Sequence, residues 1–179
     1  MRVQRTEGRL TFLSVRPSLH FVAVLAVVTA ACGARELPPS APSVLLGRPI
    51  PDFRRPTLDG STFDTKDERG HVVIVKFFAK YCEPCKRTLP EVERLHRERP
   101  DVAVVGLDED EHEWDAREVV ATYGLTFPVV HDAGNILFGR YRVRDLPMTF
   151  VVDASGSVRW TAASVGAHDA LARAVEAAR

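Results

Sequence analysis

The chain reads as an α/β protein, with a central mixed β-sheet flanked by helices and an N-terminal β-hairpin extension. Three features carry that reading. The runs His71–Ala79 and Val102–Leu107 are apolar without alternation, the pattern of strands covered on both faces. Each is followed by apolar residues at helical spacing, and such alternation of strand and helix sets successive strands parallel. Two turn signals, Asp59-Gly60 and Asp153-Ala154-Ser155-Gly156, lie between short apolar pieces and predict antiparallel hairpins.

The elements follow in order. Pro51-Asp52-Phe53 leads into a first short strand, and Leu58 to Phe63 forms the first hairpin. Arg69-Gly70 punctuates before the long strand at 71–79. Leu89, Val92 and Leu95 predict a helix running from the second cysteine to about Arg99, where Pro100-Asp101 ends it. After the second long strand, Trp114, Val119, Val120 and Tyr123 mark a helix that Gly124 closes as its C-cap. Phe127 to Val130 is a short extended piece, and Ile136-Leu137-Phe138 with Tyr141 and Val143 a short helix. Met148–Val152 and Val158–Trp160 are strands about the second turn, and Ala167–Ala178 is an alanine-rich terminal helix. Trp114 and Trp160 are expected in or near the core. Asp108 to Glu113 is expected as a solvated run of charge, and His131 as a surface histidine.

A chain of 179 residues is long enough for one well-buried domain. Lysine plus arginine equals aspartate plus glutamate, 24 of each, which argues against nucleic acid as a partner. Residues 1–31 read as a secretory signal peptide: Arg2, Arg5, Arg9 and Arg16 precede an apolar stretch from Phe21 to Ala31, too short to span a bilayer. Thr29-Ala30-Ala31-Cys32 resembles a bacterial lipobox, with Thr29 where leucine is usual. Lipidation of Cys32 would anchor the protein to a membrane and account for the odd one of three cysteines. Ordinary cleavage after Ala31 and an uncleaved anchor are the alternatives. Six of the twelve prolines fall between Leu37 and Pro56, so 32–50 is expected to be an extended tether and 51–179 the folded domain.

Cys82-Glu83-Pro84-Cys85 concentrates the chemistry. Two thiols three residues apart, where a buried strand hands over to a helix, can open and close a disulfide. The first sulfur would lie at the helix N-terminus, whose unpaired N–H groups and dipole favour a thiolate, the form that attacks disulfides. A purely structural disulfide would close too small a loop to add much stability. A zinc site would need two more ligands at finger-like spacing, and His96, His112 and His131 are scattered. No metal site is therefore expected. Pro84 suits a first helical turn. Glu83 should be exposed, its charge opposing the thiolate that the helix dipole favours.

Phe77-Phe78-Ala79-Lys80-Tyr81-Cys82-Glu83-Pro84-Cys85, followed by Pro90 and, about sixty residues on, by Leu146-Pro147-Met148-Thr149-Phe150, resembles the motifs of thioredoxin-fold proteins. It is most similar to exported, membrane-tethered TlpA-like thiol–disulfide oxidoreductases, which often read F-W-A-x-W-C-x-P-C and V-x-G-x-P-T-T-F. The resemblance covers roughly 50–179 and implies a thioredoxin-like fold. It makes Cys82 the exposed attacking residue and Cys85 the buried resolving one. Pro147 would be a cis-proline facing the dithiol, and Leu146 would pair with a partner's backbone. Pro90 would kink the helix. The implied partners are disulfides of exported proteins, apocytochrome c among them, with electrons from a membrane thiol donor. The implied location is the periplasmic side of the cell envelope, and the redox-active disulfide would need no other cofactor.

Three positions depart from the family pattern. Tyr81 replaces a tryptophan, keeping an aromatic for packing. Lys76 stands where relatives carry aspartate or asparagine; it would either snorkel to solvent from the strand end, the favoured expectation, or lie near the buried thiol and shift its pKa. Thr88 stands where some cytochrome-maturation members carry glutamate, which weakens that client assignment. Two other activities share the fold. A thiol peroxidase would expect threonine at position 79, where the chain has Ala79. A Cu(I)-delivery protein would expect one more residue between the cysteines, with His131 as its distant ligand.

Overall fold

The computed structural model describes residues 40–163 and 169–179. Its elements are β1 (Arg54–Pro56), β2 (Thr62–Asp64), β3 (Val72–Phe78), α1 (Cys85–Glu98), β4 (Val102–Asp108), α2 (Glu113–Tyr123), β5 (Val129–His131), α3 (Ile136–Tyr141), β6 (Met148–Val152), β7 (Val158–Ala162) and α4 (Ala170–Ala177). The first of these pair as the expected hairpin, with Arg55 opposite Phe63. The other five strands form one sheet in the order β5-β4-β3-β6-β7. β3, β4 and β5 run parallel, while β6 is antiparallel to β3 and β7 to β6.

Every residue of β3 is buried, Lys76 among its apolar neighbours included. Side chains alternate across the sheet, so the strand feeds two cores. Val72, Ile74 and Phe78 face Leu89, Val92 and Leu95 of α1 and Leu171, Ala174 and Val175 of α4. Val73, Val75 and Phe77 face α3 and the N-terminal hairpin, where Phe53, Phe63, Leu137, Phe138 and Tyr141 close the second layer. Phe77 sits among aromatic rings there, edge-on to Phe138 at 4.7 Å and to Phe150 at 5.7 Å between centroids.

The expected element order holds, with two corrections. Trp160 is in the core, but Trp114 is exposed and stacks on His112 at 3.9 Å. On the short, weakly amphipathic α2 only Ala116 and Val119 are buried, so the tryptophan has no inward face to occupy. The proline-rich segment is no free tether over its second half. Ala41 N–H donates to the Thr161 carbonyl, Gly47 N–H to Val158, and Ile50 N–H to Gly156. Residues 41–50 thus lie along β7, because prolines can line an edge strand without supplying every ladder donor. The signal peptide expected at 1–31, Cys32, the tether's first half and the predicted start of the last helix lie outside the described residues. Among the described residues no helix is long and apolar enough to cross a membrane.

Two glycines are required by geometry. Gly124 caps α2 with φ of 58°, in the left-handed region, and its N–H returns to the Val120 carbonyl. Gly106 of β4 is a close approach: a Cβ there would lie 2.9 Å from the Phe78 ring and 3.1 Å from both Phe127 and Val129. All three neighbours are buried, so none can swing away. Gly106→Ala should therefore lower unfolding stability by about 1–3 kcal/mol, measured by denaturant titration. A variant as stable as the wild type would mean that this core has slack.

Candidate active site

β3 ends at Phe78, and the chain turns through Ala79–Cys82 into α1. Cys82 and Cys85 are joined by a disulfide, Sγ–Sγ 2.02 Å. Pro84 is the N-cap residue, so its missing N–H costs the helix nothing. The Cys85 N–H points back at Cys82 and lies 3.2 Å from its Sγ. The same N–H also donates to the Cys82 carbonyl at 3.0 Å, so the sulfur sits at the positive end of the helix dipole and shares a first-turn N–H, which favours a thiolate once the pair is reduced. The expected contrast in exposure is smaller than the resemblance implied. Cys82 is 5% exposed and Cys85 0%, because the bridge folds the first sulfur onto the helix and into the core cluster. Glu83 is exposed as expected, and its charge is matched by Lys86 one turn on, at 2.5 Å.

The active-site loop is held from below and from the side. The Lys80 N–H donates to Asp110 at 2.7 Å, and the Lys80 ammonium reaches Asp115 and Glu118 of α2, each at 2.7 Å. The run 108–113 is thus not uniformly solvated. Asp108, the last residue of β4, is fully buried, and Asp110 is buried too. The His131 Nδ1 lies 3.0 Å from the Asp108 Oδ2, so this histidine is part of the floor rather than the surface. Burial, and next the neighbouring Asp110, push the Asp108 carboxyl up to about 9. Among the described residues no three of the usual ligands converge as a metal site.

Lys76 does not snorkel. Its register partners are Gly106 on one side and Thr149 on the other, and the residue is fully buried. It shares the α1 face with Ile74 and Phe78, two residues to either side. The ammonium nitrogen reaches the Thr88 Oγ1 at 2.8 Å and the Thr149 Oγ1 at 3.1 Å. Thr88 in turn donates to the Cys85 carbonyl at 3.2 Å. Desolvation brings the Lys76 pKa down to about 7, opposed only by the more distant charge of Glu91. The strand end offers no exit because Phe77 and Phe78 beyond it are also sealed.

The Leu146–Pro147 peptide bond is cis. Phe77 pairs with Met148, so the register carried one residue on sets Pro147 level with Phe78, four residues before Cys82. Leu146 is half-buried and Pro147 buried. Tyr81 differs from expectation: its ring is exposed and its hydroxyl donates to Glu109 instead of packing. The structure therefore gathers Cys82, Cys85, Leu146 and Pro147 at one end of the sheet, with Lys76 beneath α1. Sequence reasoning gave Thr149 and Asp108 no role of their own. Thr149 did carry a signal, as the single polar residue of β6.

A family model described as AhpC/TSA matches residues 46–161, from the segment along β7 to within β7 itself. The chain belongs to the AhpC/TSA family. Among curated relatives of this AhpC/TSA chain is the thiol-disulfide oxidoreductase ResA of Bacillus thuringiensis (strain Al Hakam), 33% identical over 115 residues. That match covers 63% of this chain and 66% of the relative's length. Among solved structures, a thiol:disulfide interchange protein of the thioredoxin family from Chlorobium tepidum TLS superposes with a TM-score of 0.67 at 26% identity, covering 79% of this chain and 99% of that one. The pneumococcal exposed lipoprotein thioredoxin Etrx1 of Streptococcus pneumoniae strain TIGR4 gives 0.63 at 26%, covering 70% and 98%. The fold is thioredoxin-like, as the resemblance implied.

The floor of this AhpC/TSA site makes a pH prediction. Asp108 binds its proton more tightly folded, at about 9, than at its ordinary 3.8. Its contribution to stability is therefore complete below the ordinary value and is lost as pH rises through about 9. Asp108→Asn, neutral throughout, should gain on the wild type in thermal midpoint as pH climbs across that window. A gap between the two proteins that stays constant with pH would contradict the assignment.

Proposed function

We propose that this chain is a membrane-tethered thiol:disulfide oxidoreductase of the cell envelope that reduces disulfides in exported proteins through Cys82 and Cys85. One observation carries the reading: the two sulfurs form a disulfide at the strand–helix junction, with the first against the helix N-terminus. The names of ResA and Etrx1 support the same chemistry and an exposed, lipid-anchored setting. In the reduced protein the Cys82 thiolate attacks a partner disulfide; one partner sulfur leaves with the electron pair and the other is held as a mixed disulfide. Cys85 then attacks Cys82, releasing the second partner sulfur and restoring the Cys82–Cys85 bond. A membrane thiol donor returns two electrons, and the dithiol needs no further cofactor. In this reading Leu146 pairs with a partner's backbone and Pro147 faces the dithiol, the roles that the resemblance implies. Apocytochrome c, with its own Cys-x-x-Cys, is the client to assay first.

The wild type should catalyse reduction of insulin disulfides by a small dithiol. Cys82→Ser should lose at least about 100-fold of that activity, and Cys85→Ser should accumulate a mixed disulfide visible on a non-reducing gel. A reduction potential at or below about −220 mV fits a reductant, whereas one near −120 mV would make the protein an oxidase. Peroxide turnover by Cys85→Ser at rates above disulfide exchange would favour the peroxidase reading instead.

The tether makes a separate prediction. With Cys32 lipidated, Cys32→Ser should move the protein from the membrane to the soluble fraction of an expressing bacterium. Unchanged membrane association would point to an uncleaved anchor.

A further inference from the structure

An open groove of about 900 Å³ lies between the segment at 40–46 and the loop from α3 to β6. The exchange chemistry makes no use of it. Met148 and Ala163 line it and fix its height in the sheet. Met148 pairs with Phe77, and Ala162 with Thr149, so Ala163 stands level with Met148. The groove is therefore at the end of the sheet where β3 hands over to Cys82. The segment that borders it runs antiparallel to β7. Pro49 bridges to Ser157 at the far end of that strand, and the Ala41 N–H donates to the Thr161 carbonyl near the dithiol end. The chain N-terminal to Ser40 is thus attached to the domain at the dithiol end.

Two kinds of side chain meet at this groove. Val44 is 62% exposed and Leu46 42%, each an apolar group facing water. Arg142 and Arg144 line it as well, and among the described residues neither guanidinium has an ion pair or a side-chain hydrogen bond. Asp145 is the one acid beside them, so the local charge is positive. Arg142 closes α3 with φ of 56°, a left-handed conformation that glycine would adopt without strain. The groove has no aromatic side chain of the kind that anchors protein interfaces. Small apolar groups beside unpaired arginines suit an anionic bilayer surface instead. The apolar groups enter the headgroup boundary while the guanidiniums meet the phosphates.

The length of the chain before the groove agrees. Cys32, whose lipidation would hold the protein to a membrane, precedes Ser40 by eight residues. Eight residues reach at most about 29 Å when fully extended. We infer that the groove docks on anionic phospholipid, with phosphates at Arg142 and Arg144 and with Val44 and Leu46 in the interface. This rests on the membrane-tethered reading and adds an orientation to it. The dithiol end of the sheet is turned toward the bilayer, on the side from which the proposed membrane thiol donor would reach Cys82.

Tryptophan emission in vesicles with brominated acyl chains reads this contact. The full chain and its Val44→Trp variant are purified from membranes with their anchor and reconstituted into phosphatidylglycerol–phosphatidylcholine vesicles. The emission that Val44→Trp adds to that of Trp114 and Trp160 should fall about twofold or more when the lipid is brominated. In phosphatidylcholine alone the loss should be small. Adding Arg142→Gln and Arg144→Gln should relieve the quenching and leave insulin reduction unchanged, because neither arginine takes part in the exchange. Flotation separates the two readings. Protein that fails to float with the vesicles would overturn the tethered reading, and the docking with it. Protein that floats without quenching at position 44, or with quenching that the arginine variants leave unchanged, would overturn the docking alone. Absent quenching in vesicles, a blue shift at position 44 that grows with protein concentration in detergent would assign the groove to a second copy. One that appears on adding a disulfide-bonded client would assign it to the client. Either would overturn the proposal.

Discussion

The structure depends on a strand that is dry on both faces and paired on both edges. β3 has β4 on one side, β6 on the other and a core above and below, so its direction and height are fixed from four directions. The dithiol follows only four residues after it ends, and that short lead transmits the rigidity to Cys82. The same burial sets the electrostatics. An ionisable group placed in this strand has no water to turn to, and Lys76 makes do with two hydroxyls and a pKa drawn down to about 7. Removing an ammonium from water costs several kcal/mol even after relaxation.

A second polar level lies under the loop rather than under the helix. Asp108 ends β4 beside Phe78, and Asp110 reaches the backbone of Lys80 just before the cysteines. Here the buried acid is held protonated, and the loop takes its support from a backbone hydrogen bond. The two levels titrate in opposite senses on folding: burial raises the acid and lowers the base. Each neutral form persists where its charged form would be poorly solvated.

Much of this was legible in the residues. Unalternating apolar runs fixed the central strands, Asp-Gly and Asp-x-x-Gly fixed the hairpins, and Gly124 fixed a helix end, because each signal is local. The cysteines were legible because spacing and strand–helix context say where the sulfurs go. What escaped depended on neighbours distant in sequence. Whether Lys76 escapes to solvent is decided by Phe77, Phe78 and α1, none of which a strand pattern weighs. Trp114 looked like core by its size, but α2 has too narrow an inward face to hold it. Asp108 looked like one of five solvated carboxylates in a single run, yet parallel pairing with β3 carries it inside. One clue was present and unused: the single charged residue of β3 and the single polar residue of β6 are register partners, Lys76 and Thr149.

The segment before the first hairpin has a consequence for how the protein behaves among others of its kind. Residues 41–50 occupy the free side of β7, and at the opposite margin the Leu58 N–H takes the Val129 carbonyl of β5. One stretch of chain thus occupies hydrogen-bonding positions on both outer strands. A sheet margin with free peptide groups is a template for another strand, and proteins cover or shorten such margins to stay apart. Here the segment at 41–50 takes up positions along β7 and Leu58 takes one on β5, so fewer peptide groups are left open to pair with a strand of another chain.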